Sequence, residues 1–97
     1  MKLKLLYFDD CPSWKLAADR LDAVAETRGL AVERRIVGTA EEAQAARFAG
    51  SPTVLVDGRD PFASGDERFG LACRVYNTPD GPAGSPTTEQ LEAVLDA

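Results

Sequence analysis

Two residues in this chain are equipped for covalent redox chemistry, the thiols of Cys11 and Cys73. No histidine accompanies them in the 97 residues. Its absence excludes Cys-His and Ser-His-Asp relays, histidine-ligated zinc and histidine-ligated haem. Catalysis must rest on thiols, carboxylates, lysine, tyrosine or backbone amides.

Cys11 sits in "LYFDDCPSWKLAADRL", where an apolar run stops at Asp9 and Asp10 and a helical pattern begins. The first N–H groups of a helix have no partner inside it and carry the positive end of its dipole, so a sulfur there is favoured as thiolate. Pro12 suits a helix start, since it lacks an N–H where none is required. Asp9 and Asp10 act the other way, because negative charge beside a thiol raises its pKa. Each effect is worth about 0.3 to 1 kcal/mol when exposed, so the sign of the net shift stays open.

Around Cys11 and elsewhere, each candidate has a plain reading and a chemical one. Asp10 is a strand-ending polar residue or a buried carboxylate that accepts a proton during thiol exchange. Trp14 either covers the thiol or a bound substrate, or packs as a helix-face core residue. Cys73 alternates with Leu71 and Val75 on one side of "GLACRVYN", which places it in the core. Otherwise it is a resolving thiol or a disulfide partner of Cys11, which requires Cα atoms within about 7 Å.

The elements that must hold these residues belong to one domain, residues 1–97. An apolar fraction of 44% with 28% charged residues is ordinary for a globular chain. The net charge of −5 disfavours nucleic acid and anionic membranes as partners. No run approaches the roughly 20 apolar residues of a membrane span, and Leu5 to Phe8 is shorter than the roughly 7 to 15 residues of a signal peptide's core. The expectation is a cytoplasmic protein, in which two cysteines are not a disulfide framework.

"KLKLLYF", Lys2 to Phe8, has the length and composition of a buried strand. Trp14, Ala17, Ala18, Leu21, Val24 and Ala25 then recur at helical spacing, and Gly29 follows as a stop. Leu30 to Val37 reads as a second strand. Thr39 and Glu42 stand at capping-box spacing ahead of a short helix reaching Phe48 or Ala49. Thr53 to Val56 is a third strand, left through the Asp57-Gly58 turn, and "GLACRVYN" a fourth. Thr78 to Pro86 reads as loop, and Thr87 with Gln90 caps a last helix that buries Leu91, Val94 and Leu95.

This β-α-β-α-β-β-α order, with "CPSW" at Cys11 to Trp14 and "SPT" at Ser51 to Thr53, resembles the thioredoxin-like superfamily. The resemblance implies an α/β fold with a four-stranded mixed sheet, the Cys11 strand central, the first and last helices on one face and the second helix on the other. It also implies a cis Pro52 lying against Cys11, with Ser51, Pro52, Thr53, Pro12 and Trp14 around the substrate. The activity implied is thiol-disulfide exchange by Cys11, with no cofactor, on a thiol or disulfide of glutathione or a protein. Trp14 occupies the place of the second C-x-x-C cysteine, so an outside thiol, or Cys73, must resolve the mixed disulfide. Two further classes stay open: a binding module that uses the Pro52 groove without chemistry, and a soft-metal site formed by the thiolates and an aspartate.

Overall fold

The computed structural model describes residues 1–96. Strand β1 (Leu3–Tyr7) lies at the centre of a three-stranded mixed sheet of order β2-β1-β3, parallel to β2 (Val32–Ile36) and antiparallel to β3 (Thr53–Val56). Three helices, α1 (Ser13–Glu26), α2 (Ala40–Ala45) and α3 (Thr88–Leu95), complete the main body. A separate two-stranded ribbon joins β4 (Tyr76–Thr78) to β5 (Gly81–Ala83).

The pleat of β1 distributes its side chains to two cores. Leu3 and Leu5 join Ala17, Leu21 and Val24 of α1, Val54 of β3, and Leu91 and Leu95 of α3. Leu6 faces Val37, Ala43 of α2 and Phe48. The first and last helices therefore cover one face and the second helix the other, because successive residues of a strand point to opposite sides.

Local signals set the helix ends. Thr39 Oγ1 accepts the Glu42 N–H at 3.1 Å. A full capping box links Thr87 and Gln90, with N–H to oxygen distances of 2.9 and 3.1 Å. The second helix is shorter than its pattern predicts. It ends at Ala45, and Arg47 takes a positive φ of 53° that turns the buried Phe48 back towards Leu6 and Val37. Burial of that ring outweighs another helical turn.

The fourth strand of the sheet does not form. Asp57 and Gly58 do make the expected tight turn, with φ values of 52° and 81° and paired Val56–Arg59 backbone bonds of 2.8 and 3.0 Å. Only this one bridge pair follows. Pro61 has no N–H with which to continue a ladder, and Asp60 Oδ1 accepts the Phe62 N–H at 3.0 Å, which diverts the chain.

The end of the expected fourth strand pairs instead with residues predicted to be loop: Tyr76 with Ala83, Asn77 with Pro82 and, within the expected loop itself, Thr78 with Gly81. Pro82 is tolerated because a two-stranded ribbon has open edges. An alternation is present from Cys73 to Tyr76, with its sides reversed, while Ala72 is exposed like its neighbours. Leu71 and Val75 are exposed, at 43% and 67%, while Arg74 and Tyr76 are buried.

Candidate functional site

Cys11 lies two residues before α1 and is closed into a turn by its N–H bond to the Phe8 carbonyl, 3.4 Å. Pro12 is the helix N-cap and is exposed. Cys11 is fully buried and is joined by a disulfide to Cys73, with Cα atoms 5.9 Å apart. The exposures are the reverse of the sequence expectation: Cys73, assigned to the core, is exposed. An alternating pattern separates two sides of a segment without saying which one is inside, and the buried Arg74 reverses the expected choice.

Ser51 holds this arrangement together. Its N–H donates to the Ala72 carbonyl at 2.7 Å and its carbonyl accepts the Arg74 N–H at 3.0 Å, a single parallel bridge that lays residues 72–74 across the start of β3. Its hydroxyl accepts the Phe8 N–H at 3.3 Å. The Cys11 Sγ lies 3.6 Å from the Ser51 carbonyl, within reach of an S–H···O bond once the disulfide is reduced. Gly50 makes the close approach possible: a Cβ there would stand 3.0 Å from the Arg74 Cβ and 3.1 Å from the Ala72 carbonyl, and its φ is 108°.

The Ser51–Pro52 peptide is cis, as the resemblance implies. The Pro52 carbonyl accepts the Tyr76 hydroxyl, and Thr53 Oγ1 donates to the Gly50 carbonyl at 2.6 Å. Ser51, Pro52 and Thr53 are all buried, and the chain's own 72–76 segment takes the Ser51 N–H and carbonyl and the Pro52 carbonyl, groups expected to face a substrate. Trp14 stacks on Tyr7 with ring centroids 4.1 Å apart and packs against the larger core, its Nε1 buried without a partner. Asp10, considered as a buried proton acceptor, is exposed in the turn before Cys11, as is Asp9.

Four residues not singled out as site residues anchor the Cys73 segment: Arg74, Asp60, Tyr76 and Phe62. Arg74 Nη1 lies 2.5 Å from Asp60 Oδ2, with only 8% and 12% of the two side chains exposed. The guanidinium carbon stands 4.7 Å from the centre of the Tyr76 ring, which Phe62 meets edge-on at 5.4 Å. Burial pushes the Tyr76 phenol well above its ordinary range; Arg74 opposes this and Asp60 adds to it. The available signals were the arginine inside an apolar alternation and Pro61 stopping the hairpin after Asp60.

A cavity of about 810 Å³ opens beside Lys2, Glu33 and Gly58 and is lined by neither cysteine. The sulfur pair is the chemically distinctive feature. Among the described residues no group of three or more histidine, cysteine, aspartate or glutamate side chains is arranged to hold a metal ion. No helix of the described chain is long and apolar enough to cross a membrane. No family model, curated protein or solved structure matches the chain.

Proposed function

We propose that this chain is a small thioredoxin-like, thiol-disulfide redox protein of the cytoplasm, working through the Cys11–Cys73 pair. The observation that carries the reading is the asymmetry of that pair, one sulfur at a helix start and fully buried, the other on an exposed segment. In the reduced protein the Cys73 thiolate attacks an outside disulfide, forming a mixed disulfide and releasing one thiolate. Cys11 then attacks the Cys73 sulfur, the Cys11–Cys73 bond forms, and the second outside thiolate leaves. Two electrons pass to the substrate, and the two thiol protons go to its two sulfurs. In the reverse direction a thiol such as glutathione attacks Cys73, and the electron pair leaves on Cys11, which stands at the positive end of the α1 dipole.

The full burial of Cys11 favours a second reading, a fixed cross-link that never exchanges. Brief exposure of the oxidised protein to excess glutathione, acid quenching and mass mapping distinguishes the two. Exchange gives a glutathione adduct on Cys73. An adduct on Cys11 overturns the assigned order, and a folded protein that takes no adduct is the fixed cross-link.

A further inference from the structure

We infer that the substrate of Cys73 is an extended polypeptide carrying a cysteine between apolar side chains, docked along residues 71–75; this rests on the exchange reading above. Three features of the segment converge on that class of partner. Leu71 and Val75 stand two residues either side of Cys73 and are exposed at 43% and 67%, Leu71 in the bend that leads into the segment and Val75 between the buried Arg74 and Tyr76. Of the segment's two backbone edges, Ala72 O and Arg74 N–H are used by Ser51. The other carries the Cys73 N–H and C=O, which have no partner among the described residues.

An extended strand with one edge paired and the other open is a template for a further strand, in which the main chain supplies affinity and alternate side chains supply specificity. Here the alternate positions are apolar, and the residue between them is the one whose sulfur exchanges. The Ser51 edge cannot serve a guest while residues 72–74 occupy it. The Arg74–Asp60 pair and the Tyr76 bond to Pro52 tie the residues after Cys73 to the body of the domain. In the docked step the peptide thiolate attacks the Cys73 sulfur, a peptide–Cys73 disulfide forms, and the Cys73–Cys11 bond breaks with its electron pair on Cys11.

The test measures the rate at which the oxidised protein is opened by three thiols: glutathione, a reduced pentapeptide with valine and leucine beside its cysteine, and the same peptide with serines there. Partial burial of two aliphatic side chains should make the apolar peptide about tenfold faster than the serine peptide. The double variant Leu71→Ser, Val75→Ser, altered only at exposed positions, should lose that advantage and keep its glutathione rate. Of two apolar peptides N-methylated on opposite sets of alternate residues, one should be slowed and the other not. Equal rates for the two unmodified peptides, or a variant slowed equally towards all thiols, overturn the docking surface. A disulfide inert to all three overturns the exchange reading, and the docking with it.

Discussion

At the scale of single residues, the arrangement depends on polar groups buried only because each has a partner. Removing the Tyr76 hydroxyl leaves the Pro52 carbonyl without its donor, so Tyr76→Phe should cost about 1 to 3 kcal/mol, measured as a lower denaturation midpoint. The phenol also gives alkaline pH a definite sign. Its pKa is raised in the folded state, so its contribution is fully present below the ordinary tyrosine value of about 10 and is lost as pH rises above it. Stability should fall above that value in the native chain and fall less steeply in Tyr76→Phe. Glu67 behaves oppositely. Bonds from the Ser64 hydroxyl and the Ser64 and Gly65 N–H groups lower its pKa to about 2, so the 64–67 loop keeps this support above about 4.5 and loses it as pH falls towards 2. Pairings of this kind, Arg74 with Asp60 across 14 residues and Tyr76 with Pro52 across 24, leave no local periodicity and were not legible in the sequence.

At the scale of elements, the sequence was most legible where the determinants are local. The helical apolar stripe of α1, the threonine caps at Thr39 and Thr87, and the Asp57-Gly58 turn each rest on a few consecutive residues, and each is present. The assignment of α1 and α3 to one core makes a direct prediction. Leu21→Ala and Leu95→Ala should each cost about 2 to 5 kcal/mol, read from chemical denaturation, since both side chains are buried in the same cluster. Phe48→Ala should cost about 3 to 5 kcal/mol by emptying the other face. What failed was the fourth strand. Its alternation holds from Cys73 to Tyr76, but an alternating pattern tells only which residues share a side, and the choice of the inner side was made by a guanidinium with a carboxylate and an aromatic ring to receive it.

At the scale of the whole molecule, the disulfide connects the start of the first helix to a segment 62 residues away, so chemistry and stability are linked. Closing a loop of that length in the unfolded chain is worth about 4 kcal/mol in the chain-entropy account. By the same thermodynamic cycle, whatever the bond contributes to folding, the fold contributes to the bond. A domain of this size has only about 5 to 15 kcal/mol in total, so the reduced protein should remain folded while losing a large part of its margin. The two hydrophobic cores support that expectation, because neither contains Cys73: one is built from β1, α1, β3 and α3, the other from Leu6, Val37, Ala43 and Phe48. Reduction should therefore leave the far-ultraviolet circular dichroism unchanged at room temperature and lower the urea midpoint markedly, and Cys73→Ser should lower it similarly without reductant. A chain that unfolds as soon as the bond opens has no reduced state able to exchange, and its disulfide would be the cross-link that holds it together.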